Sequence, residues 1–250
     1  MRTEALLAAV LLAVAGCVPQ RLPAAEPEGA AKFGADWESW RADTNVADLA
    51  SVQRGARNFV SYCLGCHSLK YERWSRLGTD LRIPGQLLEQ DLLPPGARAT
   101  DYIMTGMPAA DAKDWFGKTP PDLSLMVRAR GRDYIYQFLT TFYVDATSPT
   151  GANNLRLPTT AMPDVLSELE GLKGAVFNKG GFDHFEPVAP GRMSLAEYEG
   201  FVRDTVNFLD YVSEPTQLER RQLGVWVVLF LLVFSWLALL VKREYWKDVH

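Results

Sequence analysis

Cys63-Leu64-Gly65-Cys66-His67 decides how the rest of this 250-residue chain is read. Two thiols two residues apart, followed at once by an imidazole, form the attachment signature of a c-type haem. One tight turn can offer both sulfurs to the vinyl groups at one edge of the macrocycle and the ring nitrogen to its iron. A C-x-x-C pair also occurs as half of a zinc site or as a thiol redox pair. Zinc wants a second ligand pair, and the only other cysteine is Cys17, far upstream. A redox pair wants a βαβ setting, which the flanking residues do not offer. One haem c, held by Cys63 and Cys66 with His67 on the iron, is the expected cofactor.

The segment that delivers the motif reads as a helix from Asn45 to Tyr62. Asn45 is the expected cap, with Asp48 in the first turn. Leu49, Val52, Ala56, Phe59, Val60 and Cys63 recur at spacings of three and four, which places them on one face. Upstream, Met1–Ala15 has a short positive start and an apolar run of 11 residues, Ala5–Ala15. That is the length of a secretory leader and too short for a resident membrane helix. Val14-Ala15-Gly16-Cys17 resembles a lipoprotein box that would lipidate Cys17; the reading adopted is ordinary cleavage near Ala25. Either route places the next segment outside the cytoplasm. Residues 26–44, with Trp37 and Trp40, read as an extended arm.

Downstream, Pro84, Pro94-Pro95, Pro108 and Pro120-Pro121 cut residues 68–133 into short helices and loops. Short helices are expected over Leu87–Leu92, Asp101–Thr105, Leu125–Arg130 and Asp133–Tyr143. Residues 144–193 read as a long loop rich in glycine and proline, and no alternation persists long enough to support a sheet core. Ser194-Leu195-Ala196-Glu197 is a capping box opening a helix over 194–212, stopped by Pro215.

Leu223–Val241 is 19 residues without a charge. A helix of that length covers just under about 30 Å, the hydrocarbon thickness of a bilayer. Trp226, Tyr245 and Trp246 suit its interfaces, and Lys242, Arg243 and Lys247 flank its far end. The expected organisation is a signal peptide (1–25), a haem domain outside the cytoplasm (26–215), a linker (216–222), a transmembrane helix (223–241) in membrane lipid, and a cytoplasmic tail (242–250). Overall composition is ordinary for a globular protein, with 48% hydrophobic and 22% charged residues. The middle, 26–215, holds 19 Lys and Arg against 26 Asp and Glu, net −7. That argues against a nucleic-acid partner and admits a basic protein partner.

The second iron ligand is less constrained. Beyond His67 only His184 and His250 remain, and His250 lies past the membrane span. A methionine thioether favours ferrous iron and suits an electron carrier. Met104, Met107, Met126, Met162 and Met193 are available. Met107 and Met162 each precede proline, which keeps the backbone extended and lets the sulfur project from a loop. Spacing alone does not separate these two.

Several segments together resemble the cytochrome c1 family, the haem subunits of quinol–cytochrome c reductase. They are Cys63–Ser68, Pro120-Pro121-Asp122-Leu123-Ser124 with Val127-Arg128-Ala129-Arg130, Ala161-Met162-Pro163, and Glu214-Pro215 followed by one membrane span. The resemblance covers about residues 33 to 245. It implies a mainly α fold: a c-type cytochrome domain of class I-like form with long loops, plus one C-terminal transmembrane helix. It implies Met162 as the axial ligand, Met107 in a structural loop, Arg130 on a haem propionate, and Pro121 and Tyr134 lining the pocket. A propionate near a haem edge wants a bidentate cation, which arginine supplies. Arg128 and Arg130, two apart on a helix, cannot both face it. The resemblance also implies its partners: cytochrome b, a Rieske iron–sulfur protein as donor, a cytochrome c acceptor, and a dimeric complex in the bacterial inner membrane. Between the motif and Pro120 the chain is shorter than mitochondrial members, so their acidic docking insertion is not carried over.

Overall fold

The structure, a computed structural model, describes residues 33–248. The leader and its processing at Ala25 or Cys17 lie outside the described residues. Seven helices carry the architecture: α1 (Leu49–Tyr62), α2 (Trp74–Asp80), α3 (Ala109–Phe116), α4 (Met126–Arg130), α5 (Arg132–Thr140), α6 (Leu195–Ser213) and α7 (Gln217–Trp246). Shorter turns of helix occur at Gly85–Leu87, Leu88–Leu92 and Ser167–Glu170. Six strands pair as three antiparallel hairpins: β1 (Leu69–Arg73) with β2 (Tyr102–Ile103), β3 (Phe142–Val144) with β4 (Ala152–Asn154), and β5 (Gly171–Asn178) with β6 (Gly181–Pro190).

The core is the crossing of α1 and α6, with α4 and α5 also packed on α6. Val52, Ala56 and Phe59 of α1 meet Val202, Val206, Phe208 and Leu209 of α6, all essentially inaccessible. Each large aliphatic or aromatic side chain buried this way stabilises by about 1.5–3 kcal/mol. The helices approach so closely because residue 55 is glycine: a Cβ there would lie 2.0 Å from Asp204 O. A polar ladder flanks the seam, with Ser51 Oγ donating to Asp204 Oδ1 (2.6 Å) and Asn207 Nδ2 donating to Ser51 Oγ (2.9 Å).

Apart from Asp101–Thr105, the helical expectations hold with shifted ends. The cap of α1 is Asp48, whose carboxylate accepts from Ser51 N–H at 3.1 Å, three residues later than the expected Asn45. Asn45 instead closes a turn outside the helix, accepting from Ala47 N–H. The box at Ser194 and Glu197 is present with both bonds formed. The arm is tied down through its backbone: Gln137 Nε2 donates to Glu38 O and Trp40 O, and Ala42 N–H donates to Asp133 Oδ1.

Three expectations are corrected. Tyr102–Ile103 is a strand where a helix over 101–105 was expected, because its backbone pairs with β1. Much of the expected loop over 144–193 is paired, chiefly as the long hairpin β5–β6. Buried Lys173 anchors that hairpin, donating to Thr140 O at 2.7 Å and pairing with Glu170. Helix α7 is continuous from Gln217, so residues 217–222 form its first turns rather than a separate connection. It is long and apolar enough to cross a membrane, and no part of its apolar window is buried. At about 1.5 Å per residue its 30 residues would extend roughly 45 Å, longer than the hydrocarbon layer alone requires.

Candidate haem site

The motif grows directly out of α1. Cys63 caps that helix, its N–H donating to Phe59 O at 2.8 Å. Cys66 N–H and His67 N–H then both donate to Cys63 O, at 3.0 and 2.8 Å. One wound turn therefore gathers Cys63, Cys66 and His67. Its root is fixed, since Phe59 is fully buried against Phe208 of α6 with ring centroids 5.7 Å apart.

Both thiols are free. Burial, with Cys66 close by, pushes the Cys63 thiol up to about 12. A thiol that holds its proton at neutral pH is a poor disulfide exchanger and a poor ready-made metal ligand. No group of three or more His, Cys, Asp or Glu suited to a metal ion exists among the described residues. Among the described residues a zinc site on the C-x-x-C pair therefore lacks its second ligand pair.

Burial lowers the His67 pKa below its usual value, which favours the neutral ring at pH 7. Its Nδ1 lies 2.8 Å from Pro121 O. A carbonyl can only accept, so the proton sits on Nδ1 and the Nε2 lone pair is left for an iron. The turn carrying that carbonyl is fastened to β1. Lys70 N–H donates to Asp122 Oδ2 (2.8 Å), Ser124 N–H to Asp122 Oδ1 (3.0 Å), and Leu123 N–H to Ser68 O (2.9 Å).

Met162, Tyr134 and Phe138 are half-buried and pack against the main core, as Cys63 does. The strand and turn before Met162 are held by two asparagines. Asn154, with no exposed surface, donates through Nδ2 to Phe138 O (2.8 Å) and accepts from Arg156 N–H and Leu157 N–H. Asn153 Oδ1 accepts from Thr159 N–H at 2.9 Å.

Arg128 and Arg130 part company. Arg128 Nη1 is bound to Glu214 Oε2 at 2.5 Å. Arg130 instead lies with its guanidinium carbon 5.5 Å from the centre of the Tyr134 ring. Gly131, at φ 92°, makes the reversal between α4 and α5 that brings Arg130 back over Tyr134. A second guanidinium, Arg156, lies 4.6 Å from the same ring.

The structure thus brings Cys63, Cys66, His67 and Pro121 into one hydrogen-bonded unit and sets Arg130 over the Tyr134 ring, while Met162 packs against the same core. Asn154 and Arg156 were missed, and Asp122 was quoted only as part of the proline turn. Asp-Leu-Ser after a double proline is an Asx-turn signal and could have marked Asp122; Arg156 carries no local signal. A separate cleft of about 780 Å³ opens beside Leu64 and Gly65, walled by Trp74, Leu93 and Met104. It includes none of His67, Met162 or Arg130, so its size does not identify the ligand site.

These residues fit a covalent haem: two unpaired cysteines, a neutral imidazole with one nitrogen committed, and a soft thioether on the same core.

The comparisons agree with the chemistry. A family model described as the Cytochrome C1 family matches residues 94–249. Over 216 residues the chain is 46% identical to a protein named cytochrome c1 from Allochromatium vinosum, covering 84% of this chain and 88% of that protein. It is 40% identical over 210 residues to a protein named ammonia monooxygenase gamma subunit from Nitrosomonas europaea, again covering 84% and 88%. It is 27% identical over 237 residues to a protein named cytochrome b/c1 from Bradyrhizobium diazoefficiens, covering 81% of this chain and 34% of that longer protein. The family match begins after the C-x-x-C-H motif, so motif and match are separate lines of support. On both, the chain belongs to the cytochrome c1 family.

Proposed function

We propose that this chain is the haem-bearing electron-transfer subunit of a membrane quinol–cytochrome c reductase. When bound, haem c supplies a one-electron ferric/ferrous couple. The chain's residues set where that couple sits and how it is tuned. Cys63 and Cys66 would hold it covalently, and His67, oriented by Pro121 O, would hold its iron. The observation that carries the reading is the 2.8 Å contact of His67 Nδ1 with Pro121 O, which leaves Nε2 uncommitted beside two free cysteines.

Met162 is the proposed sixth ligand. The loop of its rival Met107 is stitched to the motif, with Thr105 Oγ1 donating to Gly65 O (2.8 Å) and Met107 N–H donating to Thr105 Oγ1. When bound, the haem iron would be held by His67 and by a thioether from a segment outside the motif. Met162 is carried by such a segment, anchored on α5 through Asn154. Arg130 is the proposed propionate partner, since Arg128 is engaged by Glu214.

The subunit would carry one electron from a Rieske iron–sulfur protein to an acceptor cytochrome c, with no independent enzyme activity. Cytochrome b is the expected neighbour of α7, and the fused name of the Bradyrhizobium relative supports that pairing. The helix would anchor the haem domain on the periplasmic side of a bacterial inner membrane, within a dimeric complex. A second reading is a haem subunit serving another membrane oxidoreductase, as the name of the Nitrosomonas relative suggests.

Affinity purification from detergent-solubilised membranes tests this. The expected preparation contains cytochrome b and a Rieske protein, shows haem staining of this chain on a denaturing gel, and reduces its c haem on quinol addition. Covalent haem without cytochrome b would favour the second reading. No stained band would overturn both.

A further inference from the structure

Arg156 belongs to no motif and has no carboxylate partner among the described residues. Its placement is nevertheless built. Buried Asn154 accepts from the Arg156 N–H at 2.9 Å and binds Phe138 O on α5, the helix that carries Tyr134. The arm of Arg156 is thereby held against Tyr134, its guanidinium carbon 4.6 Å from the ring centre. Arg130 reaches the same ring from α4, at 5.5 Å. Other arginines in this part of the fold are neutralised: Arg128 by Glu214, Arg132 by Asp210, Arg41 by Asp133. Two guanidiniums sharing one tyrosine with no anion repel each other. The arrangement is stable once a group carrying two negative charges sits between them, and guanidinium is the cation best shaped to hold carboxylates.

We propose that Arg156 is a second haem-carboxylate partner, so that Arg130 and Arg156 together hold the two propionates at Tyr134. This rests on the haem reading above and extends it by one residue. Arg156 would touch the cofactor directly. Six positions ahead of Met162 on the same segment, it would tie the ligand loop to the rim of the cofactor and place a compensating positive charge there. A cation close to the haem disfavours the more positive ferric state, so its loss should lower the potential.

The test is redox potentiometry of the c haem in the intact membrane complex for Arg156→Gln, Arg156→Lys and Arg130→Gln. Arg192→Gln serves as a control that removes the same charge from an exposed pair with Glu168. Arg156→Gln is expected to raise the ferric-to-ferrous ratio at a fixed ambient potential about tenfold, which for one electron is about 59 mV. Arg156→Lys should recover part of that change, while Arg192→Gln should leave the potential unchanged. An Arg156→Gln potential equal to that of the Arg192→Gln control, with Arg130→Gln lowered, would overturn the proposal and leave the haem reading intact. An unchanged potential with slower electron delivery to the acceptor would assign Arg156 to partner docking and equally overturn it. Absence of covalent haem from the wild-type complex would instead sink the underlying reading.

Discussion

His67 Nδ1 and Pro121 O lie 2.8 Å apart although 54 residues separate them. That contact sets the imidazole's tautomer and aims Nε2, and it depends on a backbone carbonyl that no side-chain substitution removes directly. Its support is Asp122, which fastens the turn to β1 through Lys70 N–H and closes it through Ser124 N–H. Asp122→Ala should leave these two donors without their partner and loosen the turn. A stability loss of about 1–3 kcal/mol is expected, with a lower haem potential from a less constrained imidazole. Thermal unfolding and potentiometry of Asp122→Ala beside Asp122→Asn check this. The Asn variant retains an acceptor oxygen and should fall closer to wild type.

Gly55 sets the depth of the α1–α6 crossing. Its missing Cβ would meet Asp204 O at 2.0 Å and Phe208 Cβ at 2.6 Å. Gly55→Ala should therefore force the helices apart and cost about 3 kcal/mol despite alanine's better helix propensity. Because α1 ends in the motif, the variant should also accumulate less haem-bearing protein. Unfolding midpoints and haem content per polypeptide measure the two effects.

Glu72 is buried on β1 with Oε1 unpartnered, near Arg76 and Asp80. Burial raises its pKa from 4.5 to about 7, Arg76 opposing the shift and Asp80 adding to it. The folded state then holds a proton that the unfolded state releases above pH 4.5. Stability contributed by the protonated form should be present below about pH 4.5 and lost as pH rises to about 7. Glu72→Gln should remove about 2 kcal/mol of that fall. Glu170, also raised to about 7 by burial, keeps its own share, so the slope shrinks rather than vanishes. Denaturant unfolding at pH 5 and pH 7.5 checks the sign and the size.

Ending the chain after Gln222 should release a soluble domain that retains haem. The apolar window of α7 contributes no buried surface, while the features near its start survive the cut: Gln217 stays buried and Arg220 stays paired with Glu214. Centrifugation and a pyridine haemochrome spectrum of the truncated protein are the measurements. Insolubility with loss of haem would place the apolar helix in the core.

What could be read in advance depended on how local the signal was. The C-x-x-C-H motif, the Ser194–Glu197 box and the uncharged run Leu223–Val241 each announce themselves within a few residues. The β5–β6 hairpin does not. Its glycines resemble loop punctuation, and its register slips between Leu172 and Lys173 and between Val176 and Phe177, which spoils the alternation that marks a strand. The different partners of Arg128 and Arg130 were illegible too, since Glu214 and Tyr134 decide them and Glu214 lies 86 residues away. Spacing left Met107 and Met162 equal; the hydrogen bonds of Thr105 to the motif loop distinguish their settings. Pro121 acts through its carbonyl, and a backbone atom leaves no mark in composition.

The central claim is a haem held between His67 and Met162. Potentiometry of the c haem in the purified membrane complex, for Met162→Leu beside Met107→Leu, tests it most directly. Loss of the thioether should lower the potential by on the order of hundreds of millivolts, within the range over which axial ligands tune haems, and Met107→Leu should leave it near wild type. A wild-type potential in Met162→Leu, with the drop appearing in Met107→Leu, would contradict the account.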